Sequence, residues 1–221
     1  MIDFHTHTLL SDGVLIPAEH IRRAYIAGYK VLGITDHVDF SNIEFVFNSL
    51  LTMINNMKDC NWDIKVIPGV EITHIPAKKI EKAVQMAKDL KIPLIIVHGE
   101  TPVEPVEKGT NRAAIESVVD ILAHPGLILP EDVKRASELK INLEITARKG
   151  HSITNGYVAK LASKFNAPMV LNTDTHQPGD LFNKEFRSSV IKGCGLEDEK
   201  IIEVEENIKN LSIKLLNKIK F

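Results

Sequence analysis

Lys91-Ile92-Pro93-Leu94-Ile95-Ile96-Val97-His98-Gly99 decides the fold. Leu94 to Val97 is a short unbroken apolar run, which fits a strand buried on both faces. Pro93 sets the entry, because the residue before a proline is driven out of helical backbone. Upstream, Ala77 to Leu90 carries a helical period. The run stops on His98. The same unit recurs in both directions along the chain. Val31 to Thr35 runs into Asp36-His37, and Val118 to Ala123 into His124-Pro125. Asn166-Ala167-Pro168 leads into a strand from Met169 to Asn172, followed by Asp174-Thr175-His176.

Three more strands complete the set: Ile2 to His5, Ile64 to Ile72 and Ile141 to Ile145. Helices are expected between them at Pro17 to Gly28, Phe45 to Met57, Thr110 to Ser117, Pro130 to Leu139 and Asn155 to Phe165. The first opens on Pro and stops on Gly, as helices prefer. Alternating strand and helix predicts an α/β protein with a parallel sheet and helices outside it. Seven strands point to a (β/α)7 barrel rather than an eight-stranded one. Asp180 to Ile191 and Asp198 to Ile219 read as helices rich in Lys, Glu and Ile. No linker or low-complexity tract separates them from the barrel. The expectation is one domain over residues 1–221, with 191–221 as a C-terminal helical extension.

Composition narrows the function. The 221 residues are 44% hydrophobic and 25% charged, ordinary for a globular protein and enough for a substantial core. The net charge of -2 supplies no basic field for general nucleic-acid binding. Cys60 and Cys194 lack CxxC spacing and read as buried free thiols of a reducing compartment. Met1-Ile2-Asp3 starts directly into a strand without a signal peptide. No apolar run approaches the roughly 20 residues of a membrane span. A cytoplasmic location is therefore expected.

Six of the nine histidines fall where strands should end: His5, His7, His37, His98, His124 and His176. Alternation along a strand puts His5 and His7 on one side. Asp12, in Ser11-Asp12-Gly13, and Glu71 and Asp174 lie at the same end. One buried histidine is more often a hydrogen-bonded core residue than a metal ligand. Six at strand C-termini, where barrel enzymes place their chemistry, point to metal. Six imidazoles and three carboxylates are too many for one tetrahedral ion. They suffice for two or three if a carboxylate bridges.

In order, His5-Thr6-His7 with Ser11-Asp12-Gly13, Ile34-Thr35-Asp36-His37, Gly69-Val70-Glu71, Val97-His98-Gly99, Ala123-His124-Pro125-Gly126 and Thr173-Asp174-Thr175-His176 resemble the motifs of the PHP domain family. That family is named for the phosphoesterase relatives of polymerase and histidinol phosphatase. The resemblance runs from about Met1 to Val190. It implies a distorted seven-stranded barrel and two to three divalent ions, with zinc, manganese and iron all compatible with mixed His and carboxylate donors. It implies that His5, His7, Glu71 and Asp174 bind one ion. Glu71, His98 and His124 bind a second, with Glu71 bridging, and Asp12, His37 and His176 bind a third. The amidohydrolases also open with HxH, but bridge with a carboxylated lysine. No lysine offers itself at a strand end here.

Three divalent ions against three carboxylates leave an electropositive pocket that favours an anion. The expected function is a metal-dependent phosphoesterase. It would be a phosphatase that hydrolyses a small phosphate monoester with a metal-activated hydroxide, histidinol phosphate being one candidate. The alternative is a phosphodiesterase or nuclease acting on nucleotides or single strands. A metal-storage or regulatory module is a third reading, opposed by open coordination positions. Arg148, in Arg148-Lys149-Gly150-His151, is placed to grip a phosphate with its planar fork, with Lys149 beside it. His151 is placed to protonate the leaving alkoxide. The competing reading of this segment is a solvated charged loop. Lys108 and Arg112 flank a helix start that reads as an anion site or as a plain N-cap, Arg112 being the candidate contact. Glu100 or Glu104 is the acidic group for a substrate amine. The loop from Gly99 to Glu107 should lie over the pocket, and its three glutamates oppose a nucleic-acid strand. The partner is thus a small phosphorylated molecule, with no membrane. His20 and His74 read as structural or surface histidines.

Overall fold

A computed structural model describes residues 1–219. Its strands are β1 (Ile2–Asp3), β2 (Val31–Ile34), β3 (His37–Val38), β4 (Lys65–Ile72), β5 (Leu94–His98), β6 (Ile121–Ala123), β7 (Asn142–Thr146) and β8 (Met169–Asn172). The helices are α1 (Pro17–Ile26), α2 (Ile43–Asn56), α3 (Ile80–Asp89), α4 (Thr110–Glu116), α5 (Pro130–Leu139), α6 (Asn155–Phe165), α7 (Lys184–Gly193) and α8 (Asp198–Leu216).

Every ladder is parallel, in the order β1-β2-β4-β5-β6-β7-β8, with β3 also on β4. β2 and β3 are two halves of one stave. Val31 pairs with Lys65 and His37 with Glu71, the same register on either side of the break. Donation from β4 continues across the break, from Lys65 N to Lys30 O at 2.9 Å and from Glu71 N to Asp36 O at 3.1 Å. The staves therefore number seven, and the expected barrel is the one observed. It closes without a regular ladder. Thr6 bridges Thr175, and Asp174 N donates to His5 O at 3.0 Å. Phe4 N donates to the Asn172 side chain at 2.9 Å.

The staves are buried on both faces, as their apolar runs require. Leu32, Ile34, Ile67, Leu94, Ile96, Ile121, Leu143 and Val170 are completely buried. Each such side chain contributes about 1.5–3 kcal/mol on removal from water. Gly33 has no freedom to be larger, because a Cβ there would lie 2.6 Å from Phe4 O on the neighbouring stave.

The C-terminal helices differ in detail from expectation. Residues 178–180 form a short 3-10 turn, and α7 begins only at Lys184. α8 packs on β8 and β1. Asn207 Nδ2 donates to Asn142 Oδ1 and Met169 O, both at 2.8 Å, and Lys218 Nζ to Pro93 O at 2.8 Å and Asp120 at 3.0 Å. Those partners lie at or just before the starts of β5 to β8. The helix covers the end of the barrel opposite the histidines, leaving the C-terminal end open. The last two residues of the predicted extension, 220 and 221, lie outside the described residues. Cys194 is buried and Cys60 exposed, both as free thiols. Among the described residues no helix is long and apolar enough to cross a membrane.

Candidate metal centre

All nine predicted donors converge at the C-terminal ends of the strands. Among the groups whose donor atoms lie within 4.8 Å of one another are His5, His7 and Glu71; Glu71, His98 and His124; and His7, Asp12, His37 and His176. Glu71 belongs to two of these groups, as a bridging carboxylate would. His7 also belongs to two, which the sequence did not suggest. Asp174 Oδ1 lies 3.2 Å from His7 Nε2 and 3.7 Å from His5 Nε2. Two of these positions hold non-glycine residues in left-handed backbone, His124 at φ 25° and Asp174 at φ 54°. Such strain costs about 1–3 kcal/mol each and marks sites where side-chain placement outranks local comfort.

The rings are oriented from behind. His5 Nδ1 donates to Glu144 Oε1 at 2.8 Å, His98 Nδ1 to Gly99 O at 3.1 Å and His176 Nδ1 to Asp174 O at 2.9 Å. Thr73 Oγ1 donates to Glu71 O, so it accepts from His37 Nδ1 at 2.6 Å. In His5, His98 and His176 these contacts occupy Nδ1 and leave Nε2 facing the centre, the arrangement typical of metal-binding imidazoles, whereas His37 Nδ1 also lies 2.8 Å from Glu71 Oε2. Glu144, Asp36 and Asp3 are buried carboxylates that sequence reasoning did not assign. Glu144 also accepts from His124 N at 3.0 Å and Asn172 Nδ2 at 2.8 Å. Asp36 accepts from Thr8 N, Thr8 Oγ1 and Ser11 Oγ at 2.7–2.8 Å, fixing the turn that carries Asp12. Asp3 accepts from His5 N and Thr173 N. The one available signal was a charged residue inside an apolar strand or beside a histidine.

Charge and burial compete here. Burial, then the neighbouring imidazoles, push His7 and His124 well below the ordinary histidine value, leaving them neutral. Burial opposes ionisation of Glu71, but His5 and His37 hold it well below the usual carboxylate range. Burial raises Asp174 to about 6. The decisive observation is what remains unsatisfied. Among the described residues, His5 Nε2, His7 Nε2, both Glu71 oxygens and Asp174 Oδ1 are buried without an aligned hydrogen-bond partner. Burying such atoms unpaired costs about 1–3 kcal/mol apiece. Inward-facing imidazole nitrogens and carboxylates crowded this closely fit divalent cations.

The centre opens into a cavity of about 410 Å³ lined by Asp12, His37, His98, His124, Asp174 and His176, and also by Arg148, His151, His74 and Glu104. Arg148 pairs with Asp180 at 3.2 Å. His151 stacks on His124 with centroids 4.2 Å apart and meets Thr101 Oγ1 through Nδ1 at 2.7 Å. His74, read from sequence as structural or surface, reaches the cavity, whereas His20 is fully buried on the inner face of α1. The remaining substrate candidates lie elsewhere. Lys149 is exposed beside the cavity and does not line it. Arg112 pairs with Asp132 and Glu116 on the helical exterior. Glu100 turns back on its own loop, accepting from Gly109 N and Asn111 N, each at 2.9 Å. The start of α4 is thus already capped and holds no anion. Glu107 is likewise spent on Ala77 N at 3.1 Å. Of the three loop glutamates, only Glu104 faces the cavity.

Fold and site together define an α/β barrel of the metal-dependent hydrolase type. The chain belongs to the PHP family: the PHP domain model matches residues 3–100. An uncharacterized protein of Methanocaldococcus jannaschii is 48% identical over 98% of this chain and 99% of its own length. A probable phosphatase of Clostridium botulinum is 28% identical over 94% of this chain and 91% of its own. Among solved structures, histidinol phosphate phosphatase from Lactococcus lactis, complexed with zinc, L-histidinol and phosphate, matches with a TM-score of 0.63. It is 17% identical over 89% of this chain and 94% of that one. A chain of archaeal ribonuclease P with mature tRNA matches with a TM-score of 0.69 at 19% identity, over 97% and 91%. At these identities the structures speak to fold alone.

Proposed function

We propose that the protein is a metal-dependent phosphatase that hydrolyses a small phosphate monoester. The observation that carries this reading is the set of buried, inward-facing donors around Glu71 that lack hydrogen-bond partners. His5, His7, Glu71 and Asp174 would hold one ion, Glu71, His98 and His124 a second, and Asp12, His37 and His176 a third. Bound there, divalent ions would supply Lewis-acid chemistry, activating water near neutral pH and neutralising charge on the phosphoryl oxygens.

The chain's own residues supply the rest. Glu144 and the carbonyls of Gly99 and Asp174 fix the imidazole tautomers. Arg148, held by Asp180 at the rim, orients a phosphate with its forked N–H groups. His151, set between Thr101 and Glu104, donates a proton to the departing alkoxide. A cavity of about 410 Å³ suits a small ester. The relatives named probable phosphatases and the histidinol phosphate phosphatase fold support a monoester, and histidinol phosphate belongs in the first substrate panel. A cytoplasmic site of action fits a small-molecule substrate. The test is a panel of p-nitrophenyl phosphate, histidinol phosphate, bis-p-nitrophenyl phosphate and short single-stranded DNA, with metal restored. Turnover confined to the diesters would sink the monoesterase reading in favour of a phosphodiesterase.

A further inference from the structure

The strap between β5 and α4, residues 99–109, holds one carboxylate at the mouth of the centre. Its start is pressed against the β6 loop, where a Cβ at Gly99 would lie 2.2 Å from Ala123 O and one at Gly126 1.9 Å from Glu100 O. Its far end is tied by Glu100 to Gly109 N and Asn111 N, and by Glu107 to Ala77 N. Between these ties the strap delivers Glu104. Oε2 of Glu104 lies 3.0 Å from His98 Nε2 and 3.2 Å from His74 Nε2, and Oε1 lies 3.4 Å from His151 Nε2. Both oxygens therefore already face imidazoles, and Glu104 is not free for a substrate amine.

His98 gives the contact its meaning. Its Nδ1 proton is committed to Gly99 O, so Nε2 is the atom left to face Glu104. A ring nitrogen and a carboxylate oxygen 3.0 Å apart are held together by a cation between them, a ring proton in the metal-free protein or a bound ion in its place. Nitrogen and oxygen ligands at about 2.0–2.2 Å from one zinc-like ion are separated by roughly 3.0–3.4 Å. His74, His98 and Glu104 have donor atoms within 4.8 Å of one another. His98 also belongs to the Glu71, His98 and His124 group, so the two groups share one ligand. His74 itself sits in left-handed backbone, φ 52°, which brings its ring to the strap.

We infer that Glu104 is a further ligand of the ion held by Glu71, His98 and His124, with His74 and His151 steadying its carboxylate. This rests on the metal reading above. Three protein donors leave a position open, whereas a fourth completes a tetrahedral shell. A substrate oxygen must then displace Glu104 or expand the shell, so the strap sets access to that ion.

The test is a titration of metal-stripped protein with Zn²⁺ against a chromophoric chelator, repeated with Co²⁺ to follow its visible ligand-field bands. Glu104→Gln and Glu104→Ala should each weaken one ion by about 10–100-fold, the range for lost support of a metal site, and shift the Co²⁺ bands of that ion. Unchanged thermal unfolding of the stripped variants shows that the fold is intact. Glu107→Gln, which loosens the same strap without touching the donor, should retain every ion. Wild-type stoichiometry and affinities in both Glu104 variants would overturn the inference while leaving the metal centre standing. Equal weakening by Glu107→Gln would overturn it too, assigning the effect to strap rigidity. Failure of the wild type to bind metal would remove both readings together.

Discussion

His5 Nδ1 and Glu144 Oε1 are 2.8 Å apart, both completely buried, and this contact aims His5 Nε2 at Glu71 and Asp174. Glu144→Gln keeps the shape but turns an amide N–H₂ toward a donor, either His124 N or the His5 and Asn172 side of the carboxylate. The expected result is a loss of about 1–3 kcal/mol in stability. Weakening of the first ion by about 10–100-fold should accompany it. Urea unfolding and metal titration check the two effects separately. Unchanged metal affinity would mean that His5 needs no partner behind it.

Asp36 should matter through Asp12. It gathers Thr8 N, Thr8 Oγ1 and Ser11 Oγ, and the turn they form carries Asp12 to 3.2 Å from His176 Nε2 and 3.6 Å from His37 Nε2. Asp36→Ala removes a charged acceptor from three donors and should cost about 2–3 kcal/mol. The ion among Asp12, His37 and His176 should be lost first. Elemental analysis after dialysis reads this directly, as one metal equivalent fewer than wild type.

The site was legible where its chemistry is rare. Histidine seldom ends an apolar run, so each of six strand ends announced itself, and the βα rhythm placed them on one rim. Glu144 was hidden because it sits inside the run from Ile141 to Ile145, where a charge reads as an outward face rather than as a brace. Glu100 and Glu104 could not be told apart, since loop residues carry no period. The direction each faces is set by the contact of Gly99 and Gly126 with neighbouring backbone. Arg112 was misplaced because the anion site it was to serve is filled by Glu100.

His20 gives the fold a pH dependence of its own. It is buried on α1 with neither ring nitrogen partnered, and burial lowers it from 6.5 to about 4. A histidine depressed in the folded state favours folding while neutral. Its contribution is therefore complete above pH 6.5 and falls as pH drops toward 4. Between pH 7.5 and 4.5 the wild type should lose about 2–3 kcal/mol through this group. Metal-free His20→Leu should lose correspondingly less over the same interval, as read by urea midpoints. Parallel losses in the two proteins would remove His20 from the account.

Arg148 tests phosphate recognition at the rim. Its guanidinium lines the cavity and is held by Asp180 at 3.2 Å. Arg148→Ala should raise KM for a phosphate monoester by about 10–100-fold, the cost of a charge-assisted contact at about 1.5–3 kcal/mol. Arg148→Lys should recover only part, because an ammonium lacks the fork. Metal content should stay at the wild-type level in both.

The most direct measurement follows phosphate release from p-nitrophenyl phosphate as metal-stripped protein is reloaded, with bound metal counted by elemental analysis in the same samples. The account predicts no turnover without metal, and activity rising with occupancy to two or three ions per chain. Full hydrolysis by the stripped protein, or a fully loaded protein inert toward every phosphate monoester, would contradict it.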